Sequence, residues 1–261
     1  MNTPQLIFSP SESNLVGIEH GVKLEQLLLE RNIKCIPIFL DDKNEDTITI
    51  NGLVLTILSP RQNVVEELLK KWTADKIYQQ YQSQIKSADP KITAEGQNLK
   101  SIQSILENPP FPHKWEDDLL NSSSIAFLSH YKQISLFFLG DANPELICRE
   151  MERIGYRYDN RLELDLFKIS HHGSKHNTTK ELLEMVECSN YLISTDSSDP
   201  YYHPSRETLI MISNFGRHSP ETALTIYSNY PLRLKRLFTD DELLTINIRF
   251  KPVKELTFPL I

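Results

Sequence analysis

Apolar and polar positions along this chain fall into blocks that change character near residues 60 and 120. In Val22–Arg31, Leu24, Leu27 and Leu28 recur at helical spacing, which predicts an amphipathic helix. Thr47–Ile50, then Asn51-Gly52, then Leu53–Leu58 predicts a β-hairpin, because Asn-Gly suits the two positive-φ positions of a type I′ turn. Ser59-Pro60 closes its second strand, so residues 1–60 read as a small α/β piece. Residues 61–120 differ. Val64–Asp75 and Tyr78–Lys86 are helical and charged, Ser87–Gln97 is polar, and Asn108-Pro-Pro-Phe-Pro112 is a loop. This stretch is expected to be a helical insertion or lid within a single domain spanning 1–261, of the kind that borders active sites.

From Ser122 the alternation becomes regular. Ser124–Leu128 and Ile134–Leu139 predict two short strands joined near His130-Tyr-Lys-Gln133. Asn143 is placed to cap a helix, with Pro144 in its first turn and Gly155 just past its end. Leu146, Ile147 and Ile154 form the apolar face of that helix. A strand over Leu164–Ile169 follows, and then a capping-box spacing, Thr178 to Glu181, before a helix at Glu181–Val186. Tyr191–Ser194 predicts a strand, Ser205 a cap for the helix Arg206–Ile212, and Ala223–Tyr227 another strand. Leu244, Ile246, Ile248 and Phe250 alternate with polar residues, which predicts a final half-exposed strand. The alternation of strand and helix makes the fold class α/β (or α+β).

Composition narrows the class. The chain has 261 residues, 39% hydrophobic and 24% charged, which fits a globular protein rather than a disordered one. Its net charge of −7 argues against a broad nucleic-acid-binding surface, because such surfaces need clustered Lys and Arg. A phosphodiester substrate held through a metal ion is still compatible with that charge. No apolar run approaches the roughly 20 residues of a membrane span. The first residues lack the basic and apolar segments of a secretory signal. Cys35, Cys148 and Cys188 are far apart and odd in number, so they predict reduced thiols rather than a disulfide framework or a zinc pair. A cytoplasmic location is therefore expected.

Candidate chemistry sits where apolar runs end. Ser135-Leu-Phe-Phe-Leu-Gly-Asp-Ala142 ends in Gly140-Asp141, and Leu164-Asp-Leu-Phe-Lys-Ile-Ser-His-His-Gly-Ser174 ends in His171-His172-Gly173. Tyr201-Tyr-His-Pro-Ser205 supplies a third polar terminus, with His203 ahead of Pro204. A carboxylate at the end of a buried strand is costly unless it is paired or bound to a cation. In an extended chain the side chains of His171 and His172 would face opposite ways, one toward a metal and the other toward substrate or a supporting carboxylate. Each residue also has a structural reading: Asp141 as a helix-start carboxylate, the paired histidines as loop residues, His203 as a surface histidine. His20, His113, His130, His176 and His218 lack ligand-like partners nearby, and among them only His176 lies close to the pair.

The order of these motifs resembles the metallo-β-lactamase-like hydrolases, and within them the ComEC-type competence-protein branch. The resemblance rests on Asn121-Ser-Ser-Ser-Ile-Ala-Phe-Leu128, Phe137-Phe-Leu-Gly-Asp-Ala142, Lys168-Ile-Ser-His-His-Gly-Ser174 and Ser194 through His203-Pro204. It spans roughly 120–215, and Gly21 through Pro60 agrees more loosely. It implies an αββα sandwich with metal held at the rim between two sheets. It also implies metal-assisted hydrolysis, often of phosphodiesters, with zinc or manganese. Asp141 matches the family's bridging aspartate, His171 or His172 its late histidine ligand, and His203 a histidine near the site. Asp141 and His172 are then the candidate catalytic residues, and Asp141, His171, His172 and His203 the candidate metal ligands. Ser174, Lys175 and Asn177 are candidate substrate contacts, since a turn before a helix presents N–H groups to anions.

The family's His-x-His-x-Asp-His run has no counterpart here, because His20 is the only histidine before His113. Tight metal sites need at least three well-placed ligands. The expectation is therefore an N-terminally incomplete site with weak or absent metal affinity. The missing strands would leave a sheet edge for self-association or a partner chain to cover. The rival reading is a non-catalytic binding or assembly module on a degenerate hydrolase scaffold. A third, nucleic-acid binding without chemistry, would need a basic stripe.

Overall fold

The computed structural model describes residues 18–33, 38–41, 46–74, 99–197, 202–217, 219 and 221–258. The predicted helix Tyr78–Lys86 and the polar stretch Ser87–Gln97 lie outside them. The chain divides into two compact units, Met1–Pro37 with Glu67–Thr93, and Ile38–Glu66 with Ala94–Ile261. Within the smaller unit, helix α1 spans Ile18–Glu30. It stops where Asn32 turns left-handed (φ 51°) and the Ile33 amide returns to the Leu28 carbonyl at 2.9 Å. Leu27 and Leu28 are half-buried, but Leu24, expected on the same face, is exposed.

The larger unit is built on an eight-stranded sheet of order β1-β2-β3-β4-β6-β8-β9-β10, with a separate two-stranded sheet, β5-β7. The strands are β1 Thr47–Ile50, β2 Leu53–Ser59, β3 Ala126–Tyr131, β4 Ile134–Phe138, β5 Leu162–Leu164, β6 Leu166–Lys168, β7 Val186–Cys188, β8 Asn190–Ile193, β9 Leu224–Ser228 and β10 Ile248–Pro252. Its first half is an antiparallel meander. The β1–β2 turn has positive φ at both Asn51 and Gly52, as the Asn-Gly pair requires. From β4 onward every pairing is parallel, and helices cross between strands. The helices are α2 Gln62–Ala74, α3 Ile102–Glu107, α4 Leu119–Ser122, α5 Pro144–Arg153, α6 Lys180–Glu184, α7 Arg206–Phe215 and α8 Asp240–Ile246. The class is thus mixed α/β.

Two predicted elements differ. The run expected as one strand, Leu164–Ile169, breaks at Asp165, whose amide donates to Ser135 O (2.9 Å) and whose carboxylate accepts from Ser135 N (2.8 Å). The kink sends Leu162–Leu164 to pair with β7 while Leu166–Lys168 stays in the main sheet. The final strand begins only at Ile248, because Leu244 and Ile246 belong to α8. A capping box of Thr239 and Glu242, with Asp240 and Asp241 in the first turn, satisfies the orphan amides and the helix dipole there. Left-handed Asn247 ends the helix. A smaller shift affects α6, which is capped by Thr179 rather than Thr178 and ends before Val186.

The core centres on a cross-strand aromatic ladder. Phe137, Phe167 and Tyr191 are register partners on β4, β6 and β8, fully buried, with ring centroids 5.0 and 5.7 Å apart. The Tyr191 hydroxyl donates to Gly216 O at 2.9 Å, and burial pushes its pKa well up, so it stays a neutral donor. Helix α3 also joins this core: Ile105 is buried in it, and Ile102 and Leu106 pack against it.

Arg206 ties α7 to three neighbours. Its guanidinium is buried, forks onto both carboxylate oxygens of Glu242, donates to Lys100 O at 3.0 Å and to Leu237 O, and lies 4.7 Å over the Phe238 ring. The Arg206 hydrogen bonds hold the Glu242 carboxyl down at about 2. We predict that Arg206→Ala destabilises the protein by about 3–5 kcal/mol in urea unfolding, since Glu242 and several carbonyls lose their partner. The depressed Glu242 pKa gives stability that is present above the ordinary carboxylate value and lost as pH falls toward about 2. That part of the acid-unfolding profile should be absent in Glu242→Gln.

Candidate metal centre

Parallel pairing aligns the strand ends. Phe138 on β4 is level with Lys168 on β6, Lys168 with Leu192 on β8, and Ile193 with Ser228 on β9. The segments following these strands therefore emerge on one rim, which is where open α/β sheets place ligands. Gly140-Asp141 follows β4, Ser170-His171-His172 follows β6, Ser194-Thr195 follows β8 and Asn229 follows β9. Hydrogen bonds knit them together: His171 N to Gly140 O (3.0 Å), Ser170 Oγ to Ala142 O (3.1 Å) and Thr195 N to Asn229 Oδ1 (2.8 Å). Asn143 caps α5 as expected, its Oδ1 accepting from Glu145 N at 3.0 Å.

The paired histidines are not extended. His171, His172 and Gly173 all have positive φ, 46°, 55° and 86°, so the chain turns at His171 itself rather than after His172. Two successive non-glycine residues in this region cost roughly 1–2 kcal/mol each, so the surroundings must hold them. The opposed side chains expected for an extended pair are replaced by rings 6.2 Å apart, crossing at 68°.

Asn177 is the main clamp. Its amide nitrogen donates to Asp141 O (3.2 Å) and Ala142 O (3.3 Å), which fixes its oxygen as the acceptor for His171 Nδ1 at 3.2 Å. In its neutral form the His171 ring therefore carries its proton on Nδ1 and leaves Nε2 as the lone-pair nitrogen. His172 does the same by another route, since its Nδ1 lies 2.6 Å from Ser194 O, which can only accept. Both rings are held in the tautomer that ligates a metal through Nε2.

His203 reaches the same place from the β8–α7 connection. Its ring centroid is 5.7 Å from that of His171. Burial, with the His171 and His172 rings adding to it, pushes its pKa down to about 4, against the opposing pull of the Asp141 carboxylate. It is a neutral imidazole at physiological pH. Gly173 makes the approach possible: a Cβ there would lie 2.6 Å from Pro204 Cβ. The Gly173 carbonyl then accepts from Ser205 N (2.9 Å), Ser205 Oγ (3.0 Å) and Thr208 Oγ1 (2.9 Å). Ser205 therefore occupies the N-cap position of α7, but its hydroxyl holds the histidine turn instead of capping the helix.

The rim brings together Asp141, His171, His172 and His203. Among the described residues, however, no group of three or more His, Cys, Asp or Glu side chains is gathered closely enough to enclose an ion. Imidazoles sharing a tetrahedral ion at about 2 Å have centroids roughly 5 Å apart. The observed 5.7 and 6.2 Å are somewhat wider. Asp141 and His171 are half-buried and His172 is exposed.

The proposed substrate contacts divide. Lys175 is exposed and faces solvent. Ser174 and Asn177 are buried and turn inward. Ser174 N donates to His171 O at 2.8 Å, and the Asn177 side chain is committed as above. Two features were missed in the sequence. Lys168, half-buried at the end of β6, feels the Asp141 carboxylate, and burial lowers its pKa. Its signal was a single lysine in an otherwise apolar strand end. His113 and His176, treated as non-ligands, stack at 4.1 Å. His176 Nδ1 donates to Phe111 O (2.7 Å) and Asn143 Nδ2 to His113 O (2.7 Å), which pins the proline-rich loop beside the rim.

Comparison with known proteins gives a partial match. Over 121 residues the chain is 26% identical to ComE operon protein 3 of Bacillus subtilis (strain 168). The alignment covers 46% of this chain and 14% of that protein. No family model matches the chain. Among the described residues no helix is long and apolar enough to cross a membrane.

We predict that Asn177→Ala destabilises the protein by about 2–3 kcal/mol in urea unfolding, because buried donors and carbonyls lose their partners. Gly173→Ala should cost about 2 kcal/mol or more and shift the His203 imidazole resonances in NMR spectra. A Gly173→Ala protein as stable as wild type would refute the close approach to Pro204.

Proposed function

We propose that this chain carries a metallo-β-lactamase-like hydrolase site with an incomplete ligand set, directed at phosphodiester or nucleotide-like substrates. The observation that supports it best is the pair of hydrogen bonds from His171 Nδ1 to Asn177 and from His172 Nδ1 to Ser194 O. A single enforced tautomer also occurs in a histidine that only pins a loop, as at His176. Here two adjacent histidines have one, beside a carboxylate, at the rim where parallel sheets bind ligands. The partial likeness to ComE operon protein 3 agrees with the ComEC-type branch. On this reading the eight-stranded sheet and the β5–β7 pair are the counterparts of the αββα sandwich.

On this reading zinc or manganese would be held only weakly, since the donors are of the right type but not gathered as closely as an ion requires. His171 and His172 would offer Nε2, Asp141 its carboxylate and His203 its neutral ring. A divalent ion bound there would supply Lewis-acid polarisation of a phosphoryl oxygen. The chain's own residues do the rest. Asn177 orients His171, and Ser194 orients His172. Lys175 stands in solvent at the same turn, placed to meet a phosphate, and Lys168 partly balances the Asp141 charge.

The spacing of the rings favours a second reading, a non-catalytic binding or assembly module on a degenerate scaffold. Calorimetric titration with zinc and with manganese separates the two. The first reading expects one weak site, with dissociation constant near or above about 10 μM, lost in both Asp141→Ala and His171→Ala proteins whose melting curves stay cooperative. No heat at millimolar metal, or binding that survives both substitutions, would leave only the scaffold.

A further inference from the structure

A cavity of about 270 Å³ lies in the larger unit, and none of Asp141, His171, His172 or His203 lines it. It opens between the end of β2, the first turn of α2, the loop carrying Trp115, and α5. Leu58 and Leu146, both buried, give it an apolar wall. The half-buried Trp115 adds an indole, and Asn63 an amide that donates and accepts.

Charge on the remaining side is asymmetric. Glu150 is buried, but its carboxylate is bonded to Arg61 Nε on one oxygen and to Arg153 Nε (2.7 Å) on the other. Arg153 also pairs with Asp46. The acid facing the cavity is thus neutralised by cations already in the fold. Arg149, the neighbour of Glu150 on α5, is exposed, and its guanidinium makes no hydrogen bond or ion pair among the described residues. The 13-residue helix α2 starts at the same opening with no acid in its first turn, so its positive end adds to the field.

We propose that this cavity binds a planar aromatic ring bearing a single phosphate, with Arg149 on the phosphate and the ring against Trp115. A lone guanidinium selects an oxyanion, since its fork matches two oxygens at once. An indole beside leucines selects a flat apolar partner. The volume is near the lower end of small-molecule sites, about 300 Å³ upward, which limits the ligand to one ring system and one anionic group. The proposal does not depend on the rim site.

The test uses adenosine monophosphate as probe and tryptophan fluorescence as readout. Trp72 and Trp115 are the two tryptophans, so a Trp72→Phe background isolates the cavity. Titration should give saturable quenching, weakened at least about tenfold by Arg149→Ala and unchanged by Asp141→Ala. Adenosine and inorganic phosphate should each bind more weakly than the monophosphate. No saturable change up to about 10 mM overturns the proposal. So does binding that ignores Arg149→Ala, or that inorganic phosphate matches. Loss on Asp141→Ala would assign the ligand to the rim instead and also overturn it.

Discussion

The contact between Gly173 and Pro204 sets the geometry of the rim. With hydrogen at the α-carbon, two segments about thirty residues apart in sequence can touch backbone to ring. The Gly173 carbonyl then collects donors from Ser205 and Thr208, which seats the start of α7 against the histidine turn. Arg206 follows at once and anchors the same helix to Glu242 and Phe238. His203 is therefore brought to His171 by a chain of packing and hydrogen bonding that runs from the sheet to the last helix. The site is a property of the whole larger unit rather than of a loop.

Local chemistry makes much of this legible in the sequence. Asn51-Gly52 fixed the first hairpin, Asn143-Pro144 and Gly155 the limits of α5, and the apolar runs ending in Asp141 and in His171-His172 pointed to the rim. The failures have a common physical origin. Asp165 breaks a strand because Ser135, thirty residues earlier, offers both a donor and an acceptor, and a sequence window cannot see that pairing. Leu244 and Ile246 mimic strand alternation, although the acids and Thr239 ahead of them carried the helix signal. Its place in the turn makes Asn177 a candidate substrate contact. Only the fold shows its nitrogen reaching the carbonyls that follow β4.

Helix α5 runs from the rim to the wall of the cavity. Its capped start follows Asp141 directly, and its middle turn carries Glu150 and Arg149. Glu150 is buried and tolerable only because two arginines reach it. That triad fixes the helix against Arg61 and, through Arg153, against Asp46.

The left-handed backbone at His171 and His172 constrains how this protein can change over time. Asparagine is the side chain that tolerates this conformation most readily after glycine. Replacing either histidine by asparagine would leave the turn comfortable while erasing an imidazole. A β-branched residue would damage the turn as well as remove the imidazole. Loss of an imidazole from this turn thus has a low-resistance route through asparagine, and descendants that took it would keep the architecture intact.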